Sequence, residues 1–411
     1  MPSKRSISKS TFRGFSRSDG SVGIRNKIGI IYTSSLLKFI SDQLAFSKPN
    51  AISFGWGNLR KTRDRNEIET LVGLGRNPNI GAVILIGSNN ADISISKIAD
   101  EISRSGKSIK ILDASTLRGT KDGIRQGKIL TKKLSRELAN YKRSEADTSN
   151  LTVGVKCGGS DATSALTANP TVGLVSDRII DLGGRILSSE LTEMTGCENM
   201  VRRRALNHKL ADNVISTIEA AVEEFEARFG EEHSMMSPGN ITGGLTTIEE
   251  KSFGAVMKTG HRPLVGMLSP GAHPTNPGWY IVDGLVAKNI RHFGLESDDE
   301  PTDFAAAGAQ MTLFTTGRGS ADGNIVSPLI KVCANPQTYK NMIDDMDFNA
   351  GLILEGKESI EAASGRLFDL VLLVASGQLT NSERLRHNEG GLVYSGTSTR
   401  VMELATPPGS L

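Results

Sequence analysis

The sequence predicts an α/β protein, with a parallel-sheet N-terminal domain carrying helices on both faces and a larger Gly-rich α/β C-terminal domain. Three observations predict it. Short apolar runs bounded by turn residues alternate with stretches of helical period up to residue 142. A polar, turn-rich stretch, SEADTSN at residues 144–150, then interrupts the pattern. Beyond Gly239 strand-like runs continue, but glycine becomes frequent. A chain of 411 residues exceeds one small core and fits two such domains.

The elements follow in order. Residues 27–33 (KIGIIYT) read as a short buried strand, and residues 34–46 place Leu36, Leu37, Ile40 and Leu44 at helical spacing. Residues 51–54 are a weaker strand. Residues 81–86 (GAVILI) are a strong one, followed by a turn at 87–90 and a helix running to Ser103. Residues 108–112 are a further strand, and residues 122–142 a helix with Leu130, Leu134, Leu138 and Tyr141 on one face. Such alternation places ligands at the carboxyl ends of the strands. The second part opens with a strand at 151–156, then a helix near 172–182, a strand at 184–189 and one long helix over 199–229. Strands near 263–268, 279–283, 311–316 and 329–333 and a helix at 359–376 complete the reading. Residues 1–18, basic, Ser-rich and without an apolar face, are expected to be a disordered arm, residues 19–147 a Rossmann-like domain and residues 148–411 the catalytic domain.

Composition narrows the function classes. Aromatics are 5% and glycine supplies 44 residues, which suits a small polar ligand held by loops rather than a large apolar pocket. Net charge is +3 but uneven. Residues 1–150 hold 27 Lys and Arg against 13 Asp and Glu, an excess of +14, which leaves −11 on the remainder. The basic residues are scattered without interleaved aromatics, so nucleic acid is not the expected partner, and docking of domains or subunits is. Cys157, Cys197 and Cys333 form no CxxC pair, which excludes a disulfide framework or structural zinc site and predicts a reducing, cytoplasmic setting. No apolar run approaches the roughly 18 residues that span a bilayer.

There is no Walker sequence, no GxGxxG at a strand–helix junction, no HExxH and no GxSxG. The chemistry lies in other clusters. In DGSVGIRN (19–26), Arg25 could hold a carboxylate, although a structured lead-in loop is the better explanation of this piece alone. In CGGSDATS (157–164), Gly158, Gly159, Ser160 and Asp161 follow a strand and leave backbone N–H groups for an anion. A tight turn with a buried Cys157 thiol is the plain alternative. In SSELTE (188–193) with Glu198, carboxylates crowd at a strand end. They either bind a hard cation or start a helix. In PGNITGGLTTIEEKS (238–252), which includes Asn240, Thr246 and Thr247 with Glu249 and Glu250 resemble a capping box. Lys251 follows in the first turns, where the helix dipole would lower its pKa and suit it to a base role. In FTTGRGS (314–320), Thr316 and a Gly-flanked Arg318 have the composition of a carboxylate grip. The acids of DDMDFNAG (344–351) are a cation candidate or a solvated loop.

Taken together and in this order, DGSVGIRN, NPNIGAVILIG, CGGSDATSALTANP, SSELTEMTGCEN, PGNITGGLTTIEEKSFG, LFTTGRGS and DDMDFNAG resemble the altronate/galactarate dehydratase family from about Phe12 to Glu383. The resemblance implies loss of water from a sugar acid such as altronate or galactarate to give a 2-keto-3-deoxy acid. It implies support by a divalent metal, usually Fe(2+), with Mn(2+) an alternative. A close branch removes sulfite from sulfolactate, and residues 276–280 (NPGWY) and the tail SGQLTNSERLRHNE look like that branch. The resemblance also implies a separate small subunit, with a homo-oligomer as a further expectation. Where the family pattern carries cysteines, this chain has Ser34-Ser35, Ser53 and Ser88-Asn89-Asn90, and Glu198-Asn199 replaces an acid–His step. Those departures leave a non-catalytic binding or regulatory relative as one alternative reading. A nucleotide-binding oxidoreductase is another.

The expected mechanism is β-elimination beside a carboxylate. Cys157, Glu190 and Glu193 are the metal candidates. Lys251 or His233 is the base, and Glu249 or Glu250 protonates the leaving hydroxyl. Gly158, Gly159, Ser160, Asp161, Asn240, Thr316 and Arg318 bind the hydroxy acid.

Overall fold

The structure, a computed structural model, describes residues 10–56, 65–89, 94–230, 234–283 and 300–387. Two parallel sheets dominate it. The smaller has the strand order Ala51–Gly55, Lys27–Tyr32, Ile80–Gly87, Ser108–Asp113. Alternation sends Ile31, Phe54, Val83 and Leu85 to one face and Ile28, Ile30, Ile84 and Ile86 to the other. The first face is covered by the helices Arg65–Arg76 and Ile95–Ser103 through Leu71, Leu74, Ile98 and Ile102. The second is covered by Lys38–Ala45 and Thr120–Ala139 through Ile40, Leu44, Leu134 and Leu138. The predicted helices on both faces are therefore observed. The helix Arg65–Arg76 adds an element that the sequence reading passed over.

The larger sheet has seven parallel strands in the order Leu264–Leu268, Gly278–Val282, Arg185–Ser188, Thr152–Cys157, Met311–Thr316, Leu329–Cys333, Phe348–Asn349. Thr152–Cys157 is the first of these in the chain. Later strands go to one side of it, and Met311–Thr316 returns to the other. A crevice opens at the carboxyl ends of the strands flanking such a reversal. Cys157 lies there, paired with Thr315 across the two strands.

Three expectations need correction. Part of the arm expected to be disordered is a strand. Thr11–Ser16 pairs antiparallel with Ser144–Asp147, inside the supposed linker, and with Val22–Gly23. Phe12 is buried beneath it, and that burial gives the short strand a reason to dock. The rest of the arm, residues 1–9, lies outside the described residues. The long helix expected over 199–229 is two, Glu198–Arg204 and His208–Phe229. Ala205 is extended, and Asn207 caps the second by accepting from Leu210 N–H at 2.9 Å. The helix expected at 172–182 begins earlier, at Ala168.

Amides join the two sheets' domains. Asn77 Nδ2 donates to Ala305 and Ala309 carbonyls at 2.7 and 2.9 Å, and Asn79 Nδ2 to Gln310 and Val326 carbonyls at 2.8 and 3.0 Å. All of these groups are buried, so each bond satisfies a carbonyl that water cannot reach.

Candidate functional site

Cys157 ends its strand and Ser188 ends the neighbouring one, so the segments leaving both strands meet at the crevice. Glu190 stands in the second with φ 55° and ψ 47°, a left-handed conformation that costs a non-glycine residue roughly 1 kcal/mol or more. The turn aims its carboxylate back at the first strand. Glu190 Oε1 receives Lys156 Nζ, Cys157 N–H and the Cys157 thiol at 3.0, 3.0 and 3.1 Å. Glu190 Oε2 lies 2.9 Å from Lys258 Nζ, a short contact but poorly aligned for a hydrogen bond, so it is an ion pair. Glu193, three residues on, accepts from the same thiol at Oε2, 3.1 Å away, and pairs with Lys251 Nζ at Oε1, 2.7 Å away. Lys156 also pairs with Glu300, whose Oε1 accepts from Glu190 N–H at 2.9 Å.

All seven groups are buried or nearly so: three lysines, three glutamates and one thiol. Burial disfavours each charge singly. Pairing restores it at the three lysines and Glu190, whereas at Glu300 burial outweighs Lys156 and pushes the carboxyl up to about 7. For Lys156 burial acts downward, but Glu190 and Glu300 outweigh it and hold the pKa well above the usual lysine value. Burial likewise acts upward on Glu190, and Lys156 and Lys258 outweigh it, leaving the carboxylate ionised. Burial, then Glu190 and Glu193, push the Cys157 thiol up to about 12. Lys251 reverses an expectation. Burial lowers its pKa, but Glu193 overrides burial and the net shift is upward, not toward a base poised near neutrality.

Beside this cluster is a cavity of about 260 Å³ lined by Lys156, Cys157, Gly158, Gly159, Ser160, Glu193, Met235, Ser237, Asn240 and Lys251. One wall is the turn after the strand. Gly159 has φ +60° and faces the Gly319 carbonyl and Thr316, so a side chain there would be both strained and crowded. Its carbonyl accepts from Arg318 N–H at 2.8 Å and Gly317 N–H at 3.2 Å, which locks the two Gly-rich loops together. Asn240 holds the same wall by donating to the Ser160 carbonyl at 2.9 Å. Among the described residues, the N–H groups of Gly159 and Ser160 and the Ser160 hydroxyl have no partner, although Ser160 is only 5% exposed.

Of the residues singled out in the sequence, Cys157, Gly158, Gly159, Ser160, Glu193, Asn240 and Lys251 line this cavity, with Glu190 directly behind Cys157. Others stand elsewhere. Asp161 caps the following helix, accepting from Thr163 N–H at 2.9 Å and Ser164 N–H at 3.2 Å. Thr316 is buried and accepts from Gly319 N–H at 2.9 Å. Arg318 is exposed, its guanidinium packed on Gly239 outside the lining. Glu249 and Glu250 are exposed, and Glu250 accepts from Thr246 N–H at 2.7 Å. His233 lies outside the described residues. The sequence reading missed Lys156, Lys258 and Glu300. A lysine inside the apolar run TVGVKC was the available signal for the first, because a strand buried on both faces tolerates a charge only with a partner.

Cys157, Glu190 and Glu193 each offer one ligand atom, all within 4.8 Å of one another. One sulfur and two carboxylates suit a divalent transition metal. Glu193 has few donors on it, and a carboxylate has about four lone-pair sites, so the lysine pairing leaves acceptor capacity for a cation. The donor set fits the metal that the family resemblance implies.

Known proteins resemble this chain over most of its length. A family profile described as D-galactarate/altronate dehydratase, C-terminal, matches residues 148–398. The chain belongs to the D-galactarate/altronate dehydratase family. The profile of the family's second domain, D-galactarate dehydratase/altronate hydrolase, matches residues 14–139. The chain is 32% identical over 389 residues to the (2R)-sulfolactate sulfo-lyase subunit beta of Chromohalobacter salexigens, covering 92% of this chain and 96% of that one. It is 30% identical over 404 residues to the altronate dehydratase of Bacillus subtilis, covering 94% and 78%. It is 29% identical over 391 residues to the galactarate dehydratase (L-threo-forming) of Escherichia coli, covering 90% and 73%. These relatives are named as dehydratases or as a sulfo-lyase subunit, and both are kinds of lyase, so the expectation of a lyase is met at that level. Among the described residues no helix is long and apolar enough to cross a membrane.

Proposed function

We propose that this chain is the large subunit of a cytoplasmic, metal-supported hydro-lyase that removes water from a sugar acid such as altronate or galactarate. The observation that carries the reading is the Cys157–Glu190–Glu193 trio placed against a polar cavity that also holds Lys251. A divalent metal, Fe(2+) or Mn(2+), held by those three residues would supply a Lewis acid for the substrate carboxylate and α-hydroxyl. The remaining work falls to the chain. Gly159 N–H, Ser160 N–H and the Ser160 hydroxyl donate to an anionic group of the hydroxy acid. Lys251, charged while it pairs with Glu193, holds a proton for the departing hydroxyl. Once that proton has left with the hydroxyl as water, the neutral amine accepts the α-proton, which returns Lys251 to its charged pair with Glu193 Oε1, 2.7 Å away. Arg318, over Gly239, draws anions to the mouth.

A second reading is sulfite release from sulfolactate, favoured by the likeness to a sulfo-lyase subunit. The same turn accepts a sulfonate as readily as a carboxylate. The subunit designation of that relative supports a separate small partner here. The test is anaerobic purification with Fe(2+) or Mn(2+), with and without a co-encoded small subunit, and a screen of sugar acids and sulfolactate. Release of a 2-keto acid or of sulfite decides between the readings. Turnover of neither by metal-loaded protein with its partner would sink both and leave a non-catalytic relative.

A further inference from the structure

We infer that Glu300 is a positioning residue that sets the geometry of the Cys157–Glu190 half of the metal site, an inference that rests on the metal-site reading above. Glu300 is the first residue of the helix Glu300–Ala306, far from Glu190 in sequence, and is 4% exposed. It uses both carboxylate oxygens on the site. Oε1 accepts from Glu190 N–H at 2.9 Å, and Oε2 pairs with Lys156. The first contact holds the one non-glycine backbone position that, among the described residues of the site, stands in the left-handed region, φ 55°. A glutamate there returns to extended backbone unless its surroundings fix it. The second contact fixes Lys156, whose ammonium lies 3.0 Å from Glu190 Oε1. Glu300 therefore grips Glu190 at its backbone directly and at its carboxylate through Lys156. That carboxylate is the one that also meets the Cys157 N–H and thiol. Glu300 does not line the cavity, so it acts on metal and substrate only through these neighbours.

Partners that orient metal ligands typically change metal affinity roughly 10–100-fold when removed. The test uses the full chain and cobalt(II), whose bond to a thiolate gives a near-ultraviolet charge-transfer band. E300A should weaken cobalt(II) binding by roughly tenfold or more and reduce or shift the band. E300Q, whose amide oxygen can still accept from Glu190 N–H, should fall between E300A and the wild type. C157S should lack the band, which ties the signal to that thiol. A merely structural Glu300 would lower the melting temperature of both variants without moving the band of the folded fraction. Should E300A fail to fold, E300Q carries the comparison, and unchanged cobalt affinity and band in it overturn the inference. A wild-type chain that shows no thiolate–cobalt band overturns the metal reading and the Glu300 role together. A wild-type band preserved in folded E300A overturns the Glu300 role alone.

Discussion

Arg25 and Glu383, 358 residues apart, share two hydrogen bonds of 2.7 and 2.6 Å, and the same guanidinium donates to the carbonyls of Ile24, Val374 and Gln378. The carboxylate that Arg25 of the DGSVGIRN motif holds is the protein's own. With both side chains nearly inaccessible to water, R25A strands a buried carboxylate. Loss of one partner of such a pair costs about 3–5 kcal/mol. Urea unfolding should show that loss, with metal content per folded chain unchanged. A cost below about 1 kcal/mol would mean that water reaches the pair.

The two carboxylates of the metal trio should separate by experiment. E190Q removes the carboxylate paired with Lys258 and one of the two paired with Lys156, both lysines being buried, so it should destabilise by several kcal/mol as well as abolish metal binding. E193Q leaves only Lys251, at the cavity wall, without its partner. It should lose metal while keeping most of its stability. Equal unfolding midpoints for the two variants would contradict the pairing described.

The anion turn makes a ranked prediction. S160A removes a donor from a buried wall and should raise KM about tenfold or more, the effect of losing a hydrogen bond to a charged group worth about 1.5–3 kcal/mol. R318A, at an exposed position outside the lining, should raise KM less and show its effect mainly at low salt. The reverse order would return Arg318 to the role that its flanking glycines suggested.

His273 supplies a pH dependence away from the site. Burial, with Arg76 and Lys107 nearby, lowers its pKa from 6.5 to about 4, and its Nε2 lies 3.1 Å from the Ala306 carbonyl oxygen. The folded state thus keeps the ring neutral where the unfolded chain protonates it. Stability should be full above pH 6.5, fall by up to about 1.4 kcal/mol per pH unit below it, and stop falling from this cause near pH 4. Urea midpoints between pH 7 and 4.5 should show the slope in the wild type and a shallower one in H273Q. Identical slopes would show that the ring titrates normally.

Much of this was legible in the sequence, and the failures have physical reasons. The strand Ile80–Gly87 is an unbroken apolar run, so its place in the sheet could be read directly. Cys157, Glu190 and Glu193 could be found because both segments follow predicted strands, where an α/β sheet gathers its ligands. Lys258 had no such signal, and Lys156 only its place in an apolar run. A lysine is normally a surface residue, and only the distant Glu190 and Glu300 make its burial tolerable. The glycines that flank Arg318 have a packing reason of their own. A side chain at Gly317 would overlap the Asp161 carboxylate, and one at Gly319 would overlap Met342, so packing accounts for both. The Asn207 cap was visible as a residue type, but the continuous helical period on either side of it concealed the break.

The central claim is that one thiolate and two carboxylates of this chain hold the metal. X-ray absorption at the iron edge of the anaerobically loaded protein tests it most directly. The account predicts stoichiometric iron with one sulfur scatterer at about 2.3 Å among oxygen ligands, lost in C157S. An all-oxygen shell in the wild type, or no stoichiometric iron at all, would contradict it.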